Sequence, residues 1–172
     1  MEGYLTEENT LQNAEGIRLL RYSLKIPTAL QLQRAEQAYT NVEKLFLQNV
    51  TVSELQIAEQ DWETYLVNGG KRSRFAGNRI SLRGICTYTD AHYLSILWEY
   101  CRQRVGQAEE RLRFAHVWDR TKQVILPLKA VVQKKISKSV YRGNPLFFLT
   151  EKGVHLETPD GEHILPLNFQ NE

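Results

Sequence analysis

The amino-acid sequence predicts a mainly α fold of the α+β class, a bundle of about five or six helices followed by a small C-terminal antiparallel β meander. Apolar residues recur at the 3-and-4 spacing of amphipathic helices through most of residues 7–142. Turn residues separate three short β-prone runs near the end of the chain. A length of 172 residues suits one domain with a full core. We therefore expect a single domain over residues 1–172, with its helical part at 7–142 and a β tail at 145–169.

The first two helices are predicted from apolar spacing on either side of a proline. The stripe of the first helix, over residues 7–24, consists of Leu11, Ile17, Leu20 and Leu24. Gly16 lies within this helix and costs about 1 kcal/mol relative to alanine. Pro27 ends the helix, and Thr28 caps a second one that extends to about residue 48.

A third helix is bounded by recognisable caps. Thr51 and Glu54 have the spacing of a capping box. The run Asn68-Gly69-Gly70 provides a C-terminal cap, because glycine readily adopts the left-handed conformation that ends many helices. The outer face of this helix is acidic, which is typical of a solvated surface, and it carries Glu54, Glu59, Asp61 and Glu63.

The middle of the chain changes pattern twice. Residues 80–88 alternate weakly between apolar and polar side chains, which predicts a short strand. Thr89 and Asp90 then cap a helix over about 91–105 that is apolar around most of its girth, as a central helix would be. A further helix begins near Gln107, and Pro127 restarts it towards residue 142.

The β tail consists of three short runs at residues 146–150, 154–158 and 163–167. The segments 151–153 and 159–161 between them have good turn chemistry. We expect a small antiparallel meander, with the strand near residues 80–88 as a candidate further member.

The charges are sorted along the chain. Residues 71–143 hold 16 of the 22 Lys and Arg residues but only 5 of the 20 Asp and Glu residues, a local balance of +11. Residues 1–70 carry 5 basic and 10 acidic groups, and residues 144–172 carry 1 and 5. A basic segment between acidic flanks attracts polyanions. The same flanks are also able to pair with the basic segment of their own molecule.

A glycine-rich basic loop, residues 69–84, is the main candidate site. Cationic side chains and glycine backbone amides are the groups that contact phosphates, and an aromatic ring allows base stacking. The loop lacks the spacing of a Walker phosphate-binding loop. Its candidate nucleic-acid-binding residues are Lys71, Arg72, Arg74, Phe75, Arg79 and Arg83.

A second basic cluster falls at the end of the last predicted helix. The favourable interaction of cations with a helix C-terminus is an alternative explanation for it. If the two clusters share one surface, they form a single nucleic-acid-binding face that contacts the phosphate backbone. The residues of the second cluster are Lys134, Lys135, Lys138 and Arg142.

The sequence therefore predicts a non-enzymatic nucleic-acid-binding protein, a subunit or accessory factor of a nucleoprotein assembly that contacts DNA or RNA. The alternative is a protein–protein adaptor or assembly factor whose basic face docks an acidic protein partner. A third reading is an enzyme that holds a phosphorylated small molecule in the basic loop, but a nearby catalytic group is not evident.

No cofactor, metal site or membrane contact is expected from the sequence. The spacing of Cys86, His92, Cys101 and His116 lacks the short pairs of a structural zinc site. No apolar run approaches the length of a membrane span, and the polar start of the chain does not resemble a signal peptide. Two cysteines are too few for a disulfide framework, so we expect reduced thiols and a cytoplasmic protein.

Overall fold

The computed structural model describes residues 4–27, 37–132 and 145–167. Strands account for most of the regular structure in these residues. The strands are β1 Tyr4–Gln12, β2 Arg18–Pro27, β3 Asn78–Thr89, β4 Tyr93–Gln103, β5 Glu110–Asp119, β6 Val124–Ile125, β7 Leu146–Thr150, β8 Gly153–Thr158 and β9 Gly161–Leu165.

Helical structure in the described residues is concentrated between β2 and β3. Helix α1 (Gln37–Lys44) leads through a π-helical segment, Leu45–Val50, into helix α2, Thr51–Val67. A short 3₁₀ turn, Arg72–Arg74, follows α2. Helix α3 (Leu128–Val131) is a single turn. Among the described residues, no helix has both the length and the apolar character needed to cross a bilayer.

The prediction of a mainly α helical bundle is wrong. The strands form a six-stranded sheet, in the order β1-β2-β3-β4-β5-β6, and a three-stranded sheet, β7-β8-β9. The helix predicted over residues 7–24 is the hairpin of β1 and β2, and the helix predicted over 91–105 is mostly β4. The helix predicted from Gln107 is replaced by β5 and β6. Of the last predicted helix, the described residues include only α3, because 133–144 lie outside them.

The described residues divide into two compact units. The first contains residues 4–27, 39–83 and 99–112. The second contains residues 37–38, 84–98, 113–132 and 145–167. The expectation of one domain over the whole chain stays a prediction.

The first unit is organised around a parallel pair of strands. Strands β2 and β3 pair in parallel, from Leu20 opposite Asn78 to Lys25 opposite Arg83, and the long helical segment connects them. Strand β1 pairs antiparallel with β2. Most of the described buried apolar residues of this unit come from alternate positions of β2 and β3 and from the helical segment: Leu20, Tyr22, Leu24, Ile26, Val42, Phe46, Ala58, Trp62, Ile80 and Leu82. Leu19 of β2 is also buried, outside this alternation.

The end of α2 confirms the sequence prediction, whereas its beginning does not. Gly69 has φ +79°, its N–H donates to the carbonyl of Leu66 at 2.9 Å, and the N–H of Gly70 donates to Tyr65 at 2.9 Å. This pair of bonds is a Schellman motif, one form of the C-terminal cap that the run Asn68-Gly69-Gly70 predicted. No capping box forms at the start. The hydroxyl of Thr51 donates to the carbonyl of Phe46 at 2.9 Å because the chain is already helical there.

The turn between β3 and β4 explains why a helix was expected after Asp90. The Oδ1 atom of Asp90 accepts the backbone N–H groups of His92 at 2.8 Å and Tyr93 at 2.6 Å. A helix N-cap residue makes the same side-chain contacts with the residues two and three positions ahead. In this chain those bonds close a hairpin turn, and the backbone N–H of Asp90 donates back to the carbonyl of Tyr93.

The predicted meander is confirmed in the second unit. Strands β7, β8 and β9 pair antiparallel in sequence order. The strand near residues 80–88 also exists, as part of β3, but it belongs to the six-stranded sheet rather than to the meander. The meander encloses a buried cluster with α3 and β5, made of Val117, Leu128, Val131, Val132, Leu149, Val154 and Leu156.

A buried hydroxyl links β7 to the hairpin of β3 and β4. Ser95 is fully buried, and its Oγ accepts the backbone N–H of Leu149 at 2.8 Å. The Thr87 hydroxyl donates to the same Oγ at 2.9 Å. These bonds satisfy a backbone amide that would otherwise be buried without a partner.

Gly84 gives room to the largest fully buried side chain. A Cβ atom at this position would lie 2.8 Å from Cζ3 of Trp98, which is 1% exposed. The φ of Gly84 is not positive, so the obstacle to a side chain there is steric, and the three atoms nearest to the added Cβ all belong to the indole ring. We expect Gly84→Ala to lower the free energy of unfolding by about 1–3 kcal/mol through overpacking. Urea denaturation of the full chain measures this change.

A double-mutant cycle distinguishes this contact from a general loss of stability. In a Trp98→Leu background the ring is gone, so the added cost of Gly84→Ala should shrink. Equal costs in both backgrounds would refute the steric explanation.

Candidate anion-binding face

The parallel register of β2 and β3 places like residues side by side. Arg21 lies opposite Arg79, Ser23 opposite Ser81, and Lys25 opposite Arg83. Because side chains alternate along a strand, these three cross-strand rows share one face of the sheet. We call them the basic rows: Arg21, Ser23, Lys25, Arg79, Ser81 and Arg83.

Burial shows that the basic rows lie on the solvent side of the sheet. Tyr22 and Leu24, which alternate with them in β2, are 8% and 2% exposed. Ile80 and Leu82 do the same in β3 and are 3% and 4% exposed. The four cations of the basic rows are exposed. The amphipathic alternation of the two strands thus fixes which way the cations point.

A shallow concavity of about 290 Å³ lies over part of this face. Two basic rows, Arg21 with Arg79 and Ser23 with Ser81, form part of its wall. Gln103 of β4 also lines it, as do the acids Glu8 and Glu109. The concavity therefore offers guanidinium and hydroxyl groups to a polar ligand, whereas the side-chain amide of Gln103 already donates to the backbone carbonyls of Arg104 and Gln107.

The four cations of the basic rows differ in the contacts that their side chains make. Arg21 forms an exposed ion pair with Glu8 at 3.3 Å, and such pairs contribute only about 0–1 kcal/mol. Arg83 lies over the ring of Tyr4, 5.3 Å from its centroid. Among the residues that the structure describes, Lys25 and Arg79 have no side-chain hydrogen bond or ion pair. These two are therefore available to an external anion without the loss of any contact that the structure describes.

The residues predicted from the basic loop are distributed over two places. Arg79 and Arg83 belong to the basic rows. Lys71, Arg72 and Arg74 are exposed at the 3₁₀ turn, where Arg72 pairs with Glu15 at 2.8 Å. The second predicted cluster, Lys134, Lys135, Lys138 and Arg142, lies outside the described residues.

Phe75 is part of an internal aromatic cluster. Its ring centroid is 4.9 Å from that of Trp62 and 5.3 Å from that of Tyr65. These contacts pack the segment after α2 against the helix. We therefore assign Phe75 to packing and leave it out of the candidate face.

The arginines around the end of β4 are neutralised by the acidic helix. Arg102 donates to the buried Glu54 at 3.1 Å and to Glu110 at 2.7 Å. Arg104 forms a two-bond contact with Asp61, at 2.9 and 2.6 Å. Two of the acids expected on a solvated face, Glu54 and Asp61, are thus the counterions that attach α2 to the sheet.

A polar network extends this attachment to the start of β3. The side-chain amide of Asn78 donates to Asp61 at 2.7 Å, and its carbonyl oxygen accepts the backbone N–H of Val105 at 2.9 Å. Hydrogen bonding from Arg104 is the largest effect on the pKa of Asp61 and holds it below its ordinary value, against the effect of burial. The carboxylate is therefore stabilised in its charged form.

The acidic tail neutralises one arginine of the second unit. Glu157 of β8 accepts two hydrogen bonds from Arg113 of β5, both at 2.9 Å. In both units, then, acids from the flanks pair with arginines of the basic segment. The local balance of +11 does not correspond to one continuous basic surface.

Arg21, Ser23 and Lys25 were not among the predicted site residues, because residues 7–24 were expected to form a helix. The signal was present: apolar residues at 20, 22, 24 and 26 alternate with polar ones, which is the pattern of a half-buried strand. The pairing of β2 with β3 joins residues more than fifty positions apart, and no local pattern indicates it.

Comparisons with known proteins bear on the fold. No protein-family model and no curated protein matches the sequence. A solved structure of a DUF3298 family member from Bacteroides fragilis is similar over 96% of this chain and 85% of its own, with a TM-score of 0.53 and 10% identity. A DUF3298 family protein from Pseudomonas aeruginosa matches 84% of this chain and 62% of its own, with a TM-score of 0.45 and 14% identity. The first similarity supports the β-rich fold.

The Asp61–Arg104 contact should make the stability of the fold depend on pH. Because the folded-state pKa of Asp61 is lowered, its contribution is complete above the unfolded value of about 3.9 and is lost as the pH falls through the folded pKa. We expect Asp61→Asn to cost about 1.5–3 kcal/mol near pH 6. This difference from the unmodified chain should shrink below about pH 4. Urea denaturation across this range measures it.

Glu59→Gln provides the matched control, since it removes one negative charge from an exposed position of the same helix. Its effect should stay within about 0.5 kcal/mol. A cost of Asp61→Asn that does not change with pH would contradict the role assigned to the ion pair.

Proposed function

We propose that this chain is a non-enzymatic binding protein that holds the phosphate backbone of a single-stranded nucleic acid on the basic rows. The observation that carries the proposal is the like-on-like register of β2 and β3, which gathers four exposed cations and two half-buried hydroxyls on one face of the sheet. Like charges directly opposite each other destabilise a sheet, so a bound anion would relieve their repulsion.

The spacing of the basic rows suits an extended polyanion. Residues two apart in a parallel strand are separated by about 6.6 Å, and neighbouring strands by about 4.8 Å. Successive phosphates of a stretched sugar–phosphate backbone are separated by a distance similar to the first of these. A single strand running along β2 and β3 would meet a pair of cations, then a pair of hydroxyls, then a second pair of cations.

The side-chain types fit phosphate recognition. Arginine presents a planar fork of N–H donors that matches phosphate oxygens, and serine hydroxyls donate to phosphates without requiring a particular base. Aromatic side chains are absent from the basic rows themselves. Contacts of this kind position a backbone, so we expect binding to be largely independent of base sequence.

The acids around the face limit its affinity. Glu8 already pairs with Arg21, and Glu109 lines the same concavity. The exposed face is also screened by salt. We therefore propose a moderate, salt-sensitive affinity rather than tight binding. An acidic protein partner is the alternative, since it would meet the same cations.

Fluorescence anisotropy with a labelled oligo(dT) and a labelled oligo(U) tests the proposal. If the four cations contact phosphates, log affinity should fall with log salt with a slope of about −3 between about 50 and 200 mM salt. Lys25→Gln with Arg79→Gln removes two contacts without breaking an internal bond that the structure describes. This double variant should reduce the steepness of that slope by about 1.4.

Matched variants separate the face from net charge. Lys122→Gln with Lys129→Gln removes the same charge from exposed positions elsewhere and should leave the slope nearly unchanged. Lys71→Gln with Arg74→Gln tests whether the 3₁₀ turn contributes. Tighter binding of poly-glutamate than of either oligonucleotide would favour the acidic protein partner. No binding at low salt, or equal weakening by all three double variants, would overturn the proposal.

A further inference from the structure

The hairpin of β8 and β9 brings three metal-ligating side chains to one face. His155 and Glu157 are two residues apart in β8 and therefore point to the same side. Glu162 of β9 lies directly opposite Glu157 in the antiparallel register. As a result, an imidazole and two carboxylates converge. Along the chain, Glu157 is two positions after His155, and Glu162 is five positions after Glu157.

The distances between these groups are too long for hydrogen bonds. Nε2 of His155 lies 3.8 Å from Oε1 of Glu157 and 3.7 Å from Oε2 of Glu162. The three ligand atoms all lie within 4.8 Å of one another. Nε2 is buried and makes no hydrogen bond within the part of the chain that the structure describes. A buried ring nitrogen that faces two carboxylate oxygens without bonding to either needs an explanation.

We propose that His155, Glu157 and Glu162 form a binding site for Zn²⁺. Zinc binds imidazole nitrogen at about 2.0–2.1 Å and carboxylate oxygen at about 2.0–2.2 Å, so tetrahedral ligand atoms are about 3.3–3.5 Å apart. The two separations from Nε2, 3.7 and 3.8 Å, need to contract only slightly. The two carboxylate oxygens lie within 4.8 Å of each other, and a change of rotamer of the mostly exposed Glu162 would bring them closer. The ion would occupy the space between the three atoms and satisfy the unbonded nitrogen.

The surroundings orient two of the three ligands. The ring of His155 is stacked on Phe148, with centroids 4.6 Å apart and planes at 16°, and Phe148 is opposite it in the register of β7 and β8. Glu157 accepts two bonds from Arg113. Outer contacts of this kind commonly position metal ligands.

Two features oppose tight binding. The guanidinium of Arg113 places a positive charge next to the ion, which weakens its attraction to Glu157. The side chain of Glu162 is 71% exposed and would lose rotamer freedom on coordination. The site is therefore expected to be weaker than a structural zinc site with four ligands.

Three protein ligands leave a fourth tetrahedral position for water or for a ligand atom from outside. The nitrogen ligand also sets the choice of metal. Calcium and magnesium prefer all-oxygen coordination, whereas imidazole suits zinc and the neighbouring transition metals. We therefore expect discrimination against Ca²⁺ and Mg²⁺.

Titration of the chelator-treated full chain with Zn²⁺, in competition with a chromophoric chelator, tests the proposal. Glu162→Gln changes a mostly exposed side chain and should weaken Zn²⁺ binding about 10-fold or more. In parallel, nitrogen-15 NMR of the histidine side chains should show Nε2 of His155 shifting on addition of Zn²⁺. Ca²⁺ or Mg²⁺ at the same concentration should produce no such shift.

The same hairpin offers a matched control. His163 is opposite Leu156 in the register, on the other face from the site, and it is exposed. His163→Gln should leave the affinity unchanged, whereas His155→Gln should remove the site. Failure of Zn²⁺ to bind, an affinity unchanged by both Glu162→Gln and His155→Gln, or an unshifted His155 resonance at saturating Zn²⁺ would overturn the proposal.

Discussion

The pairing of partly buried carboxylates on α2 with arginines around the end of β4 is the constraint on which the first unit depends. Glu54 is 6% exposed, and a charge at that depth is costly unless it is paired. Arg102 supplies its counterion, and Arg104 supplies that of Asp61. These ion pairs attach the helix to the sheet on the side opposite the basic rows, where the helix covers the buried residues of β2 and β3.

The sequence predicted correctly those elements whose ends carry residues typical of only one kind of structure. The glycines after α2 and the turns of the meander belong to this kind, and the structure has both where the sequence placed them. Asp90 shows the limit of such signals. The bonds from its carboxylate to the two amides ahead are common to a helix cap and to a hairpin turn. Only the pairing partner decides between the two, and that partner is distant in sequence.

Two of the missed strands, β1 and β4, lack the alternation that identifies a half-buried strand, whereas β2 has it. Positions 94–98 of β4 are buried on both faces, so all of them except Ser95 are apolar and the run imitates a buried helix. Strand β1 is exposed on nearly its whole length, so its few apolar residues show no period at all. In the candidate site, Arg79 and Arg83 were identified from composition alone. Their neighbours Arg21 and Lys25 required the register of a non-local strand pair.

The register of the strands decides which of the charges that are close in the sequence lie on the same surface. In β3, Arg79 and Arg83 are four positions apart and face solvent together, whereas Arg102 and Arg104 face the acids of α2. A slip of β2 by one residue would turn Arg21 and Lys25 towards the buried side and Leu20 and Leu24 outward. The burial of those leucines forbids that slip. The apolar core thus determines on which face of the sheet the cations lie. The net charge of the segment does not determine it.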